Sequence, residues 1–454
     1  MNALAIAGGI SRALVRRVLR IYYSPIEIER RERIPATGAV LFVANHPNSL
    51  LDPALIGFTT QRPVHFFAKA PLFDVPVFGA LMRAMGMVPA YRGTDDKASV
   101  RKNLETLDLG AEYLRRGEAV GIFPEGKTHD REGVEQVRTG AARIAWSAAQ
   151  DGGAVWVVPL GLNFERKERF RSSIWVRVGE PLEVVSWFRE RGEEERKAIR
   201  SLTEAIDARL KQVVVHLDEP RWETVLHELE VLLPANGDHA NESIAPLRQR
   251  KRLADAMNYF FANDGARAND MASAIEQHRA RLAAFGLSVG SPVVQLSGAP
   301  LASRLIKDLF WLSPGFLPAL AGTLHHLAPF FVVRGLAKLL GRADRTTIAL
   351  NRLLVGLPIY AVWYAAVWLL IATHHAVWIA WLWTALMPFC GVEALHYAWR
   401  LRGAGRAWWN EVRMLARREA LRRLRVEQRT LGEKLNQLRQ EFYSRHVGDD
   451  VRSL

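Results

Sequence analysis

The sequence has very little cysteine: its only thiol among 454 residues is Cys390, within an apolar run. One thiol excludes a disulfide within the chain, a cysteine cluster and a cysteine-based zinc site. The first 22 residues also lack the small-residue cleavage site of a secretory signal peptide. They mix Arg16 and Arg20 with apolar residues such as Leu14 and Ile21, a pattern typical of an amphipathic helix on a membrane surface. An ordinary surface helix of a folded domain is the alternative.

Acidic residues are fewer than basic residues in this sequence. Asp and Glu number 47 against 61 Lys and Arg, which gives a net charge of +14 and a pI near 10.1. A basic balance suits nucleic acid, an anionic membrane surface or phosphorylated substrates. No recognisable nucleic-acid-binding motif accompanies the charge, whereas the 14 Trp are typical of chains that contact the membrane interface. The composition therefore favours anionic membrane lipid, and not nucleic acid, as a partner.

Charged side chains are absent from two long runs near the end of the chain. Residues 353–372 are 20 uncharged residues, enough to cross the hydrocarbon core of a bilayer, and residues 376–392 form a second such run. Basic residues flank the pair at Arg352 and Arg400. The positive-inside rule therefore predicts a transmembrane hairpin with both ends in the cytosol. A buried hairpin of a soluble protein is the alternative, which the density of Trp disfavours.

Proline interrupts a third apolar stretch, residues 313–333, at Pro314, Pro318 and Pro329. If this stretch spanned the bilayer, the N-terminal part of the chain would lie on the other side of the membrane from the basic residues 334–352. The positive-inside rule places those basic residues in the cytosol. We therefore expect it to be re-entrant, interfacial or packed on protein. The Arg-rich residues 399–446 have a helical pattern, for which a coiled coil, a membrane-surface helix and a solvated helix are open alternatives.

Short apolar strands alternate with helical stretches in residues 26–181, which predicts an α/β layer fold. The loops at the ends of strands in such folds usually hold ligands. The predicted strands are residues 40–44, 64–68, 119–123, 155–160 and 174–178, and the predicted helices between them are residues 98–116 and 138–150.

These patterns divide the chain into successive parts. They are a membrane-surface helix, an α/β domain, a helical region, an apolar interfacial or re-entrant segment, a transmembrane hairpin and a basic helical tail. Their predicted bounds are residues 1–25, 26–190, 191–300, 301–350, 351–398 and 399–454.

A histidine and an aspartate share the first of four ordered blocks, NHPNSLLD (residues 45–52). His46 follows a predicted strand, and a neutral histidine can remove a proton from an alcohol. Asp52 lies six residues later at a predicted helix start, from which its carboxylate can turn back and orient the imidazole. A loop histidine beside an N-capping aspartate would give the same pattern, so this block alone decides nothing.

Residues suited to an anionic substrate fill the next two blocks, GMVPAYR (residues 86–92) and FPEGKTHD (residues 123–130). A strand that ends in a glycine turn can present backbone N–H groups and a cation to phosphate, and Arg92 can bind phosphate in a bidentate way. Glu125 suits a substrate hydroxyl or a nearby arginine better than a phosphate. A plain turn and a surface arginine are the alternatives. The candidate substrate-binding residues are Gly86, Arg92, Phe123, Pro124, Glu125, Gly126 and Lys127.

Together with VVPLGLNF (residues 157–164), the order and content of these blocks resemble the glycerolipid acyltransferase family, which includes glycerol-3-phosphate and lysophosphatidate acyltransferases. The resemblance covers roughly residues 26–190 and implies an acyltransferase catalytic domain there. It implies that His46 is the general base and that Asp52 orients it. It also implies that the second and third blocks bind a phosphorylated acceptor, and that Pro159 lies near the acyl donor.

Two departures refine the resemblance. Five residues separate His46 and Asp52, whereas four is the commonest spacing in the family. The longer loop, together with FPEGKTHD, looks like the branch of glycerol-3-phosphate or dihydroxyacetone-phosphate acyltransferases known from fungi. Lys127 stands where small or hydroxyl residues are more usual, which leaves its role open.

The resemblance implies an integral membrane enzyme of phospholipid biosynthesis with a cytosolic catalytic domain, at the inner membrane if the source is bacterial. The expected reaction moves a fatty acyl group from acyl-CoA or acyl carrier protein to the sn-1 hydroxyl of glycerol 3-phosphate or dihydroxyacetone phosphate. It requires no metal or bound cofactor. Alternatives are the same chemistry on lysophosphatidate or another lysolipid, such as a lyso-ornithine lipid, and a catalytically silent membrane protein that binds phospholipid. Retention of both His46 and Asp52 speaks against the silent protein.

Overall fold

The computed structural model describes residues 3–74, 78–90, 97–131, 133–234, 243–295, 306, 308–310, 312–339 and 347–446. These residues group into two compact units. The first unit contains Met1–Pro220, Ala235–Asp255 and Asp344–Leu350, and the second contains Arg221–Pro234, Ala256–Ala343 and Asn351–Leu454. The predicted six-part division of the chain stays a prediction.

The first unit is built on one eight-stranded sheet. Its strands are β1 (Tyr23–Glu29), β2 (Ala39–Ala44), β3 (Val64–Lys69), β4 (Val88–Ala90), β5 (Ala119–Ile122), β6 (Val155–Phe164), β7 (Ser172–Val178) and β8 (Leu182–Glu183). The order across the sheet is β1-β7-β6-β2-β5-β3-β4, with β8 paired to β6. Adjacent strands are parallel except where β6 meets β7 and β8. The α/β fold and the five strands predicted for it are confirmed.

Helices follow the strands through the first unit and form most of the second. In chain order they are α1 (Ala3–Tyr22), α2 (Leu51–Thr59), α3 (Phe78–Ala84), α4 (Lys97–Arg115), α5 (Gly140–Ala149), α6 (Val184–Arg191), α7 (Glu195–Val213), α8 (Glu223–Leu232), α9 (Ala245–Asn263), α10 (Gly265–Ala284), α11 (Pro292–Gln295), α12 (Phe316–Leu339), α13 (Ile348–His374), α14 (Val377–Met414) and α15 (Arg418–His446).

The central strands are buried on both faces, as parallel strands covered by helices should be. Every residue of β2 is buried, and so is nearly all of β6. On one face, Leu41 and Val157 pack against apolar residues of α5 and α7, such as Ile144 and Leu202. This core holds β2, β5 and β6 rigidly in register, so the loops at their carboxyl ends start from fixed positions.

The apolar side chains of the N-terminal helix α1 lie on two faces, one buried and one exposed. Leu19 is 1% exposed, whereas Leu14 and Ile21 are 63% and 54% exposed. The Arg16 guanidinium donates hydrogen bonds to the carbonyls of Gly57 (2.8 Å) and Thr60 (2.6 Å) at the end of α2. One face therefore docks on the sheet unit, and the other presents apolar residues to the surroundings. Its predicted membrane contact stays a prediction.

Three helices of the described chain are long and apolar enough to cross a membrane: α12, α13 and the one that begins at Val377. Many of their large apolar side chains point outward; Leu317, Val362 and Phe389 are each more than two-thirds exposed. Helices α13 and α14 meet at a break after His374, where the sequence predicts the hairpin turn. The expectation of apolar helices suited to a membrane is confirmed, whereas their topology stays a prediction.

Helix α12 is continuous although it contains proline. Pro318 lies in the first turn, where its missing N–H costs nothing, and Pro329 lies inside the helix. The structure therefore places a helix of 24 residues where the sequence predicts an interfacial or re-entrant segment. The interfacial or re-entrant assignment stays a prediction.

The tail helix α15 has a leucine stripe that packs inside the second unit. Its a and d positions, at heptad spacing, include Leu421, Leu424, Leu431, Leu435 and Leu438, all buried. Polar contacts to α10 flank this stripe, including Arg267–Glu441 (2.8 Å). Of the alternatives left open for the tail, these contacts favour coiled-coil packing.

Topology can be tested with single cysteines in a Cys390→Ala background. We expect an impermeant maleimide to label a cysteine at position 375 in intact cells or spheroplasts, but not one at position 151 or 444, because a two-helix hairpin exposes only its turn. The positions Asp151, His375 and Ser444 are all exposed in the structure. If α12 also crossed, positions 151 and 375 would share one side and 444 would lie on the other. That labelling pattern would contradict the hairpin.

Candidate active site

The predicted motifs meet at one edge of the sheet. Strands β2, β3, β4, β5 and β6 run in the same direction, so their carboxyl ends lie together. His46 follows β2, and Glu125 follows the neighbouring strand β5. In sheets of this kind, ligands bind beyond the carboxyl ends of the strands. The edge is therefore the place to look for chemistry.

His46 and Asp52 form a close pair at this edge. His46 Nδ1 lies 2.8 Å from Asp52 Oδ2, and the Asn48 backbone N–H donates to the same oxygen at 2.7 Å. The Asp52 side chain is fully buried, whereas that of His46 is 18% exposed. A carboxylate that accepts from Nδ1–H leaves Nε2 as the basic nitrogen. Among the residues that the structure describes, Nε2 has no hydrogen-bond partner.

The buried position affects the protonation of Asp52. Burial raises the pKa of its carboxyl group, because the anion loses solvation. The hydrogen bond and charge of His46, the Asn48 N–H and the charge of Lys167 oppose this rise. The carboxylate that orients His46 therefore depends on these partners to remain ionised.

An aromatic ring fixes the plane of the imidazole. The Phe123 ring stacks on His46 with centroids 4.1 Å apart and an interplanar angle of 11°. Phe66, on β3, stacks behind Phe123 at 6.4 Å. The stack restricts rotation of His46 from one side, while Asp52 holds it at Nδ1. Phe123, a predicted acceptor-side residue, therefore contacts His46, the predicted base.

Asn45 anchors the histidine loop to the neighbouring strand. Its side-chain amide accepts from the Leu162 N–H (2.8 Å) and donates to the Leu162 carbonyl (3.1 Å). Strand β2 ends at Ala44, so the Asn45 side chain supplies hydrogen bonds that a longer β2 would have made with β6. Asn45 is 3% exposed. It holds the chain in place one residue before His46.

The FPEG block forms a tight turn after β5. Gly126 has φ +71°, a left-handed conformation that favours glycine, and its N–H donates to the Phe123 carbonyl at 3.0 Å. The Pro124 carbonyl accepts from the Arg138 N–H at 2.9 Å. Glu125, 1% exposed, contacts His129 Nε2 through one carboxylate oxygen. Its other oxygen, Oε1, has no hydrogen-bond partner within the described part of the chain.

Lys127 is paired with an acid of its own loop. Its ammonium group lies 2.6 Å from Glu135 Oε2, and its side chain is half exposed. The hydrogen bond from Lys127 lowers the pKa of Glu135. An incoming phosphate would have to compete with Glu135 for this cation. The structure therefore leaves the role of Lys127 open, as the sequence did.

The remaining predicted residues have structural contacts or lie outside the description. Gly86 has φ +79° and accepts a hydrogen bond from His65 Nδ1 (2.8 Å) at its carbonyl. Pro159 is buried in the middle of β6, opposite Val43. Arg92 lies outside the described residues. The predicted roles of Gly86 and Arg92 in acceptor binding, and of Pro159 near the acyl donor, stay predictions.

Sequence reasoning did not single out three residues that support the pair. Asn48 Nδ2 donates to the Tyr23 hydroxyl (2.7 Å) and to the Lys167 carbonyl (3.3 Å). The Tyr23 hydroxyl donates to the same carbonyl at 2.5 Å. Tyr23 and Lys167 lie outside the four blocks, and no spacing rule connects them to His46. Asn48 lies within the first block, but its type gives no signal beyond a turn.

Comparison with known proteins assigns this part of the chain to a class. Residues 25–163 match the family model described as Acyltransferase. A histidine–carboxylate pair at the carboxyl edge of an α/β sheet thus lies within a domain of the Acyltransferase family, and the predicted resemblance is confirmed. The match covers less than a third of the chain.

Individual relatives differ in the acceptor that they name. The chain is 38% identical to glycerol-3-phosphate O-acyltransferase 2 of Saccharomyces cerevisiae over 84 residues, which is 18% of this chain and 11% of that protein. It is 26% identical to 1-acyl-sn-glycerol-3-phosphate acyltransferase of Bacillus subtilis over 198 residues, 43% of this chain and 90% of that protein. It is 34% identical to lyso-ornithine lipid O-acyltransferase of Pseudomonas aeruginosa over 127 residues, which is 28% of this chain and 44% of that protein.

The chain spans only a small part of some relatives' length. The chain spans only 11% and 16% of the length of the two yeast glycerol-3-phosphate O-acyltransferases that it matches. A crystal structure of 1-acyl-sn-glycerophosphate acyltransferase from Thermotoga maritima aligns with a TM-score of 0.34 at 21% identity, over 45% of this chain and 78% of that one.

Asn45→Ala tests whether the amide anchor holds the site. The variant should lose about 1–3 kcal/mol of unfolding free energy, because it leaves the buried N–H and carbonyl of Leu162 without their partner. Hydrogen exchange at the Leu162 amide should become faster. Gln150→Ala is the control, since its amide donates one bond on an exposed helix end. Equal stability and exchange in the two variants would contradict the anchoring role.

Proposed function

We propose that the protein is a membrane acyltransferase that acylates the sn-1 hydroxyl of glycerol 3-phosphate or dihydroxyacetone phosphate. The acyl group comes from acyl-CoA or acyl carrier protein. The observation that carries this proposal is the pair of His46 and Asp52 at 2.8 Å, with Nε2 unpartnered among the described residues. Such a base can activate an alcohol directly, so no enzyme nucleophile is needed.

The reaction follows from this geometry. Nε2 of His46 removes the proton of the acceptor hydroxyl while Nδ1–H donates to Asp52. The hydroxyl oxygen attacks the thioester carbonyl carbon, so a C–O bond forms and the C–S bond breaks. The thiolate leaves and takes the proton back from the imidazolium, which returns His46 to its neutral form. The products are an ester and a free thiol, and the reaction as proposed uses no metal or bound cofactor.

Glu125 and Arg92 are proposed to bind the acceptor. Glu125 presents a buried carboxylate oxygen without a partner in the described chain, and a substrate hydroxyl would supply the missing hydrogen bond. We assign the phosphate to Arg92, with Lys127 a helper once it leaves Glu135. The assignment of Arg92 rests on the resemblance of GMVPAYR to the family's second block and on the ability of guanidinium to bind phosphate.

The membrane is the proposed site of the reaction. The proposed product carries an acyl group, and three helices within the described residues are long and apolar enough to cross a bilayer. Exposed apolar residues of α1, together with its arginines, suit a surface of anionic lipid. We place the catalytic domain on the cytosolic side, where activated acyl donors are made.

Lysophosphatidate is the second candidate acceptor. The Bacillus subtilis relative named for that acceptor is matched over 90% of its own length. A panel of acceptors with one radiolabelled acyl-CoA and one acyl carrier protein distinguishes the two proposals. Glycerol 3-phosphate, dihydroxyacetone phosphate, lysophosphatidate and a lyso-ornithine lipid should be included. Preferential acylation of lysophosphatidate would replace the first proposal with the second, and absence of transfer to every acceptor would refute both.

His46→Ala tests the chemistry. It should lower kcat by roughly 100- to 10,000-fold, because it removes the base while leaving the acceptor contacts in place. Asp52→Asn should also lower kcat strongly, since an amide can stabilise the wrong imidazole tautomer. His227→Ala is a matched control, because His227 pairs with Glu230 at 3.5 Å on α8, which belongs to the second unit. Turnover near that of the wild type in His46→Ala would exclude the mechanism.

Arg92→Ala tests the acceptor site. The KM of the acceptor should rise much more than that of the donor, because a charge-assisted contact to phosphate is lost. Arg92→Lys should recover only part of the loss, since an ammonium group cannot reproduce the planar fork. The exposed Arg200, paired with Glu204, offers Arg200→Ala as a control. Equal increases for donor and acceptor would indicate a structural role instead.

A further inference from the structure

Lys167 lies at a junction between two loops of the site. It follows β6 by three residues and belongs to none of the four motif blocks. Its side chain is only 9% exposed. A buried ammonium group is costly unless it is paired and hydrogen-bonded. The surroundings of Lys167 therefore show what this cation holds in place.

The backbone of Lys167 holds the histidine loop. Its carbonyl accepts from the Tyr23 hydroxyl at 2.5 Å and from Asn48 Nδ2 at 3.3 Å. The backbone N–H of Asn48 in turn donates to Asp52 Oδ2 at 2.7 Å. A single residue, Asn48, therefore connects the Lys167 carbonyl to the carboxylate that orients His46.

The side chain of Lys167 holds the other loop. Its ammonium group lies 2.7 Å from Asp130 Oδ1 and donates to the His129 carbonyl at 3.3 Å. The His129 ring contacts Glu125, the proposed ligand of the acceptor hydroxyl. One buried residue, Lys167, therefore contacts both the loop that carries His46 and the loop that carries Glu125.

We propose that Lys167 is a positioning residue, which sets the distance between the His46–Asp52 pair and the acceptor-binding FPEG loop and supplies a positive charge beside the pair. This inference rests on the proposed function. Its backbone contacts fix one loop, and its ammonium group fixes the other. The charge is close enough to Asp52 to oppose the effect of burial on the carboxyl pKa.

Lys167→Met removes the charge and the side-chain contacts but keeps the backbone carbonyl. It should lower kcat by roughly 10- to 100-fold, since a displacement of about 1 Å between reacting groups has effects of this size. Lys167→Arg should restore most of the loss. Lys211→Met is the matched control, because Lys211 pairs with Asp207 at 2.9 Å on α7. Thermal unfolding of each variant checks that the fold persists.

A pH profile separates positioning with charge from simple support of the fold. The acid limb of kcat should move to higher pH in Lys167→Met, because loss of a cation favours protonation of Asp52, whose carboxylate orients His46. Asp130→Asn, which removes an anion, should move it to lower pH. Other ionisable groups near the pair or near Lys167 remain unchanged in both variants; these are Tyr23, Glu125, His129 and Glu168.

The outcomes distinguish this inference from the proposed function. All variants are assayed with the acceptor that the wild type acylates in the panel. If the wild type acylates none, the proposed function fails and this inference fails with it. If the wild type is active and Lys167→Met matches Lys211→Met in kcat and in pH profile, only the inference is overturned. Shifts of the acid limb in the same direction for Lys167→Met and Asp130→Asn would also overturn it. Should Lys167→Met fail to fold, Asp130→Asn alone decides the sign of the charge effect.

Discussion

A fully buried carboxylate, Asp52, is the constraint on which the site depends. An anion without contact to solvent must be compensated by hydrogen bonds and charges that the fold supplies. Here the compensation comes from the His46 ring, the Asn48 N–H and the charge of Lys167. These groups lie on the loops after β2 and β6, so the orientation of the His46 ring depends on both loops being held to the sheet.

The parallel strands explain why loops distant in sequence can meet these demands. Strand β2 lies between β5 and β6, so the loop that carries His46 has the FPEG turn on one side and the Lys167 loop on the other. A strand order of this kind brings together residues more than 70 positions apart, from His46 to Glu125. The sheet core fixes the starting point of each loop, and hydrogen bonds such as those of Asn45 to Leu162 hold the backbone one residue before His46.

Local pattern was enough to predict the central strands and the motif blocks, because apolar runs indicate strands and glycines indicate turns from neighbouring residues alone. It was not enough for β1, an edge strand that carries charge: Glu29 forms an ion pair with Arg177 (3.2 Å), a residue far along the chain. Lys167 was missed for the same reason, since its partners lie on other loops and one of its contacts uses only a backbone carbonyl. Such pairings depend on the folded sheet, which a single sequence does not display.

The unusual spacing of the pair shows how a departure from a motif can preserve geometry. Ser49 takes a left-handed conformation (φ 52°). The next residues start α2 at once, with Asp52 N–H donating to the Ser49 carbonyl at 3.2 Å. Asp52 therefore falls in the first turn of a helix, where the N-terminal dipole favours a carboxylate, and still lies within hydrogen-bonding distance of His46. The five-residue spacing therefore keeps the His46–Asp52 contact at 2.8 Å, which the proposed roles of base and orienting acid require.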